Sequence, residues 1–288
     1  MRMIPHSFDA ENFSRTAKIF LDSGEVSSPE EAILRLQSFG VAVIAGRELI
    51  KSSNLQAALL TIVNAGARSF LGGVHVSLPA DKIRSQIPGI KFNDLAAVIR
   101  RLGGQIGLPK ADFPVLTLGN VSPPISTQAR ALQVTFDRWT AGVAPATRKM
   151  RLAERDGCVL AAILAAALGI SEVFQYFRGR NVMAMRRSFA LSLWEPAAQI
   201  DWRSNRNEPV LEIVPDRFWL IGLGNLGQAY LWTIGFFGYS TPDTVRLTLQ
   251  DVDSLSEANI STSLLTDRNN VGLQKNTRDG CVGRETKI

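Results

Sequence analysis

The sequence has few of the residues that reveal metal sites, disulfide frameworks or membrane spans. Its 288 residues include two cysteines, Cys158 and Cys281, and two histidines, His6 and His75. Two cysteines so far apart form neither a zinc pattern nor a disulfide framework, which favours a reducing, cytoplasmic location. The most apolar stretch, residues 158–170, is shorter than the about 18 apolar residues needed to span a bilayer. It predicts a buried helix, and we expect no membrane partner.

Long runs of one charge are also missing. The net charge is +6, and no lysine- or arginine-rich run carries interleaved aromatic residues. Nucleic acid is therefore not an expected partner. The content of 45% hydrophobic and 20% charged residues is typical of a globular protein with a sizeable core. The length allows two domains of ordinary size.

Short apolar runs alternate with helical patterns along most of the chain. The patterns predict strands at 39–46, 72–79, 113–120, 131–139 and 188–196, and capped helices at 53–67 and 92–104. A longer helix is predicted over 148–177, kinked near Gly157. This alternation predicts an α/β, Rossmann-like fold with mostly parallel sheets and helices on both faces. The polar segment 203–209 divides the chain into an N-terminal α/β domain, 1–205, and a second region, 206–288.

The second region opens with a glycine turn between a strand and a helix. The apolar run "RFWLIG" leads into Gly222-x-Gly224-x-x-Gly227, and a helical pattern follows. The first glycine permits a tight turn, the second lets the backbone approach a phosphate, and the third lets helix pack against strand. The N–H groups at the start of the helix then face the anion. The turn therefore predicts a nucleotide site.

A second predicted strand ends at Asp251. A carboxylate at the tip of this strand can accept hydrogen bonds from both ribose hydroxyls, and sites for NAD and for ATP share this feature. The glycines and Asp251 alone therefore do not separate the two nucleotides.

The residues beyond Asp251 distinguish them by resemblance to a known family. The stretch 251–275 carries Asp251, Asp253, Asn259, Gly272 and Lys275. It resembles the ATP-binding region of the ThiF/MoeB and ubiquitin-activating-enzyme family. That family has a glycine turn, a strand ending in Asp-x-Asp, an asparagine eight residues after the first aspartate, and then Gly-x-x-Lys. The match covers about 55 residues and includes the spacing from Asp251 to Asn259 and that from Asn259 to Lys275.

The resemblance implies a role for each of these residues. Asp251 would hold the ribose, Asn259 would donate its amide N–H to a phosphate oxygen, and Lys275 would neutralise phosphate charge during attack. Asn259 and Lys275 are the expected catalytic residues, whereas the three glycines, Asp251 and Asp253 are expected to bind the cofactor. Asp253 has an alternative role as a cap of the following turn.

The sequence departs from the family in two places. The family usually has an arginine three residues after the asparagine, where this chain has Thr262 followed by Ser263, and Arg268 is the nearest cation. The aspartate that binds Mg²⁺ in the family, which follows a further strand, is absent before the chain ends at Ile288. Cys281 comes too early for the family's thioester cysteine. These departures suggest a truncated product or a fragment.

Three functions follow. The resemblance implies an adenylyltransferase that uses ATP and Mg²⁺ on the C-terminal carboxylate of a ubiquitin-like or sulfur-carrier protein, impaired if the chain is truncated. The alternatives are an NAD(P)-dependent oxidoreductase and a non-catalytic nucleotide-binding scaffold of the same fold. Residues 206–288 bury little surface alone, so they must dock on 1–205, on a second copy in a homodimer, or on a missing continuation. Larger members of the family suggest that 1–205 is a Rossmann-like half without a nucleotide site.

Overall fold

A computed structural model describes residues 13–87, 94–109, 112–148, 150–197, 201, 208–239 and 245–277. His6, Lys149 and Cys281 lie outside the described residues, as does the predicted division between residues 205 and 206. The described residues form two units that contact each other, one with a mostly parallel sheet and one with two parallel strands. The α/β, Rossmann-like fold class predicted from the sequence is confirmed.

The first unit contains a seven-stranded sheet with helices packed against it. The helices are α1 (Arg15–Asp22), α2 (Pro29–Gln37), α3 (Ser53–Ser69), α4 (Leu95–Arg101) and α5 (Val159–Arg178). The strands are β1 (Gly40–Ala45), β2 (Gly73–Ser77), β3 (Gln105–Ile106), β4 (Val115–Leu118), β5 (Ala131–Asp137), β6 (Thr140–Pro145) and β7 (Phe189–Ser192).

The strand order is β3-β2-β1-β4-β5-β6-β7. The first five strands in this order are parallel, whereas β6 and β7 add antiparallel strands at one edge. Strand β1 lies between β2 and β4 in the sheet. The chain adds β2 and β3 on one side of β1 and then β4 and β5 on the other, so the strand order switches between β1 and β4. In doubly wound folds, ligands bind at such a switch point.

The main core lies between the sheet and the two longest helices. Val43 of β1, Leu116 of β4 and Val134 of β5 are fully buried in the cluster that also contains the inner faces of α3 and α5. The intervening strand residues, including Ala42 and Val115, form a smaller cluster on the opposite face. This alternation is the period of two expected of a strand buried on both faces.

Helix α5 contains the most apolar stretch of the sequence. By length and composition alone it could cross a membrane, and about half of that stretch is buried inside the protein. Ala161, Ala165 and Ala166 pack into the core, and Gly179, in a left-handed conformation with φ 70°, ends the helix. The predicted buried helix is therefore present.

The predicted helix over 148–177 is wrong in its first third, because α5 begins only at Val159. The preceding segment runs beside the end of β5, and its backbone N–H groups bond atoms of that strand. The N–H of Leu152 donates to Thr135 Oγ1 (2.9 Å) and the N–H of Glu154 donates to the carbonyl of Phe136 (3.0 Å). Bonds to the sheet thus replace helical bonds in this segment.

The second unit is smaller. It contains β8 (Arg217–Ile221), α6 (Asn225–Ile234), β9 (Arg246–Gln250) and α7 (Glu257–Ile260), with β8 and β9 paired in parallel. Leu223 of the turn and Leu231 of α6 form its buried centre, against which Leu220, Leu247 and Leu249 pack. It docks on α3 of the first unit, where the indole N–H of Trp232 donates to Thr61 Oγ1 (3.0 Å).

Candidate functional site

The glycine turn joins β8 to α6, and two of its three glycines are required by the backbone geometry, whereas the third is open to its surroundings. Gly222 has φ +87°, a conformation that L side chains rarely adopt. A Cβ on Gly224 would meet no atom within 4 Å, so this position is open on its outer side. A Cβ on Gly227 would lie 2.1 Å from the carbonyl oxygen of Gly222, so only glycine lets α6 approach the turn this closely.

Asp251 closes the turn from the end of β9. Its Oδ2 accepts the backbone N–H of Leu223 (2.6 Å), and its Oδ1 accepts the N–H of Asp253 (2.9 Å). Burial acts to raise the pKa of Asp251, but these N–H donors and the charge of Lys275 outweigh it and lower the pKa below its ordinary value. The carboxylate therefore stays ionised, and each oxygen keeps a lone pair for a further donor.

Lys275 is brought to Asp253 by an antiparallel pairing of residues 253–255 with 272–275. The N–H of Lys275 donates to the carbonyl of Asp253 (3.0 Å), and the N–H of Leu255 donates to that of Leu273 (2.8 Å). The Lys275 ammonium then pairs with Asp253 Oδ2 at 2.9 Å. No helix is present in the described residues after 270, so this pairing positions the lysine. Asp253 thus pairs with a cation.

Asn259 lies in the first turn of α7 and is nearly fully buried. Its Oδ1 accepts the N–H of Ser256 (2.9 Å) in a capping box, so the amide NH₂ is the end of this side chain that remains to donate. The backbone carbonyl of Asn259 accepts hydrogen bonds from the N–H groups of Thr262 (3.1 Å) and Ser263 (2.8 Å). These two residues link Asn259 to the first residue of α6, at the glycine turn.

Thr262 stands where the family usually has an arginine, and Ser263 follows it. Their hydroxyls lie 2.9 and 2.8 Å from Oδ1 of Asn225, the first residue of α6. They therefore connect the loop after Asn259 to the mouth of the turn. Arg268, the nearest cation in the sequence, is exposed in a short 3₁₀ helix.

Sequence reasoning missed Gln228, which is fully buried in α6. Its Oε1 accepts the N–H of Leu265 (2.9 Å), and its Nε2 donates to Thr266 Oγ1 (3.0 Å) and the carbonyl of Leu223 (3.3 Å). It holds the glycine turn and the loop after α7 together. The sequence shows only a glutamine next to the third glycine, and two of its three partners are 37 and 38 residues away.

The carboxylates of this region do not fit a magnesium site. Within the described residues, no group of three or more histidine, cysteine, aspartate or glutamate side chains could hold a metal ion. Asp251 is bonded to two backbone N–H groups, and Asp253 is paired with Lys275. With both carboxylates engaged in this way, Asp251 and Asp253 alone do not provide the shell of oxygen ligands that Mg²⁺ requires.

A second position could in principle hold a nucleotide, namely the switch point between β1 and β4. There the side chain of Glu48 lies over Gly46 and Gly119, and its Oε2 accepts the N–H of Asn120 (3.2 Å). A Cβ on Gly46 would lie 2.6 Å from this oxygen. The Glu48 carboxylate thus fills the space on the side of both glycines where a Cβ would project.

Comparison with known proteins places both units in one family. The sequence matches the BilD N-terminal domain over residues 40–193 and the BilD C-terminal domain over residues 214–280. The chain belongs to the BilD family. It is 39% identical over 272 residues to the Bacterial E1-like protein BilD of Collimonas sp. (strain OK412), an alignment that covers 93% of this chain.

The chain spans 58% of the length of this BilD relative. That the relative is E1-like agrees with the resemblance to ubiquitin-activating enzymes seen in the sequence. Among solved structures, the fold is distantly similar to that of E. coli MccB, crystallised with AMPCPP and MccA. The identity is 13%, the TM-score is 0.44, and the match covers 65% of this chain and 69% of that one. This likeness is too distant to indicate a function for the BilD-family chain.

Proposed function

We propose that this BilD-family chain binds ATP at the turn between β8 and α6 and takes part in adenylating the C-terminal carboxylate of a small protein of the ubiquitin-like or sulfur-carrier type. The observation that carries the proposal is the arrangement of the Gly222–Gly227 turn, Asp251 and Lys275, which hydrogen bonds and charge hold in one place. The E1-like relative supports the same reading.

The geometry supports a separate task for each group. The ionised Asp251 has lone pairs for the ribose hydroxyls, and the open backbone at Gly224 leads into the N-terminus of α6, where N–H groups favour phosphate. The Lys275 ammonium, which pairs with Asp253, can exchange this partner for a phosphate oxygen and neutralise its charge. Asn259 supplies an amide N–H.

In the proposed reaction, a carboxylate oxygen of the small protein attacks the α-phosphorus of ATP. The bond from this phosphorus to the oxygen that bridges the α- and β-phosphates breaks, and that oxygen leaves with pyrophosphate, so the products are an acyl-adenylate and pyrophosphate. The chain's contribution is to position the nucleotide and to stabilise charge on the phosphate oxygens. Because the described carboxylates do not fit Mg²⁺, no step is assigned to a metal held by them.

For the two regions, we propose that residues 1–205 form a Rossmann-like partner half without a nucleotide site and that residues 206–288 form the ATP-binding region. The position of Glu48 supports this division. An aspartate or glutamate in a phosphate cradle repels the phosphate that would otherwise enter it.

A second candidate function is a nucleotide-binding scaffold without catalysis. Two observations favour it: the hydroxyl of Thr262 replaces the family's arginine, and the described residues contain no metal-binding cluster. A hydroxyl cannot supply the bidentate, charged contact of an arginine.

Exchange of radiolabelled pyrophosphate into ATP separates the two candidates. For the adenylyltransferase we expect exchange that depends on a ubiquitin-like protein ending in Gly-Gly and disappears when its C-terminal carboxylate is blocked. Lys275→Met should abolish this exchange, whereas the exposed Lys51→Met should not. ATP binding without exchange would support the scaffold, and binding of NADH instead of ATP would overturn both.

A further inference from the structure

Among the contacts between the two units is a buried cation, Arg68. Arg68, in the last turn of α3, donates from Nη1 to the carbonyls of Ile260 (2.6 Å) and Thr266 (2.8 Å) and from Nη2 to that of Leu264 (2.8 Å). Its Nε donates to Oδ1 of Asn64 (3.1 Å), whose own Nδ2 donates to the Leu264 carbonyl (3.0 Å). One side chain of the seven-stranded unit therefore holds three carbonyls of the loop after α7.

These contacts are stronger than an ordinary surface hydrogen bond. Burial lowers the pKa of Arg68 to about 10, against the opposing charge of Asp267, so the guanidinium is still protonated at neutral pH. The loss of hydration of a buried cation must be compensated by hydrogen bonds, and here three backbone carbonyl oxygens accept them from the guanidinium. Ile260 ends α7, so its carbonyl is one of those that a helix leaves without an internal partner.

The loop held by Arg68 is the one that shapes the phosphate end of the candidate site. It begins immediately after Asn259. Its Thr262 and Ser263 contact Asn225 at the mouth of the turn, and its Thr266 contacts Gln228 behind the turn. Asp251, at the ribose end, is held by other atoms, namely the N–H groups of Leu223 and Asp253.

We propose that Arg68 is a positioning residue for the phosphates of ATP, through which the seven-stranded unit sets the geometry of the nucleotide site in the other unit. Arg68 acts through the loop 260–266 and does not touch the nucleotide. The inference rests on the proposed ATP site and assigns to residues 1–205 a part in it that the family resemblance does not supply.

The proposal predicts a split between two ligands. Adenosine depends on the ribose end of the site, whereas ATP also depends on the phosphate end. Without the guanidinium, residues 260–266, which follow directly after Asn259 and include Thr262 and Ser263, lose three carbonyl contacts. Affinity for ATP should therefore fall by about tenfold or more, while affinity for adenosine should change by less than about twofold.

The experiment is calorimetric titration of the full chain with ATP and with adenosine. The variants are Arg68→Met and Arg68→Lys, and the control is Arg178→Met. Arg178 is a comparably enclosed arginine whose partner is Glu25 in the first unit, so its loss tests general destabilisation. We expect the ratio of ATP to adenosine affinity to fall in Arg68→Met, to fall less in Arg68→Lys, and to be unchanged in Arg178→Met.

The outcomes distinguish a failure of the proposed ATP site from a failure of the positioning role of Arg68. If the unaltered chain binds no ATP, the proposed function fails. If the unaltered chain binds ATP and the ratio is the same in the Arg68 variants, the ATP site stands and the positioning role is refuted. If Arg68→Met does not fold, the ratio in Arg68→Lys decides. Partial recovery of ATP affinity in Arg68→Ala on addition of methylguanidinium would support the role independently, and no recovery would count against it.

Discussion

Replacing Gly227 by alanine tests the geometry on which the nucleotide site depends. The new Cβ would lie 2.1 Å from the carbonyl oxygen and 3.0 Å from the carbonyl carbon of Gly222. Both atoms belong to the backbone of the turn, so no side chain can rotate away. To reach an ordinary carbon–oxygen contact of about 3.3 Å, α6 and the turn must separate by more than about 1 Å.

The cost of this separation follows from the surroundings of the helix. Gln228, the next residue, bonds both the turn and the loop 265–266, so any shift of α6 strains these bonds as well. Forcing one extra carbon into such a packed contact typically costs about 1–3 kcal/mol. Breaking one of the buried hydrogen bonds of Gln228 would add about 1 kcal/mol or more. We therefore expect a loss of about 2–4 kcal/mol.

Urea denaturation followed by circular dichroism and by tryptophan fluorescence measures this loss. Gly235→Ala is the matched control, because it adds the same methyl group at the other end of α6, where the nearest atom is 3.4 Å away and φ is −62°. The control should change stability by less than about 1 kcal/mol. A Gly227→Ala protein as stable as the control would refute the close approach of helix and turn.

Three further predictions follow from the same coordinates. Gly224→Ala adds a methyl group to open space, so stability should change by less than about 1 kcal/mol while calorimetry shows at least about tenfold weaker ATP binding; equal affinity would contradict the proposed phosphate contact. Burial lowers the pKa of His75, so its protonation disfavours the folded state and stability should fall as pH drops below about 6.5. His75→Gln should flatten the fall between pH 7 and 5 in melting experiments, and an unchanged slope would exclude His75 as its source. The Glu208 carboxylate accepts hydrogen bonds from the hydroxyls of Thr140 and Ser192 and from the N–H of Trp139. In Glu208→Gln an NH₂ group replaces one accepting oxygen and faces these donors, so the free energy of unfolding in urea should fall by about 1–3 kcal/mol. An unchanged free energy of unfolding would show that these bonds contribute little.

Much of the fold could be predicted because hydrophobic pattern and local capping agree. The runs at β1, β4 and β8 and the capped pattern of α3 all correspond to elements in the structure. Strand β6 was missed because "TAGVAP" contains a glycine, two alanines and a proline, which give little strand signal. The segment before α5 has a helical composition, but tertiary bonds from Leu152 and Glu154 to β5 override that preference.

The candidate site was predictable only where its contacts are set by local motif spacing. The glycine turn and Asp251 follow from the strand–turn–helix pattern, and Lys275 follows from its register with Gly272. The contacts of Gln228 and Arg68 could not be read from the sequence, because Arg68 bonds residues 192 to 198 positions away. A buried arginine in a helix has no sequence signature until its distant carbonyl partners are known.

Titration of the chain with ATP, and separately with NADH, tests the central claim most directly. The account predicts saturable ATP binding at one site per chain, weakened at least about tenfold by Asp251→Asn because the charge that holds the turn and faces the ribose is lost. No heat with ATP, or NADH binding that NAD displaces and ATP does not, would contradict it.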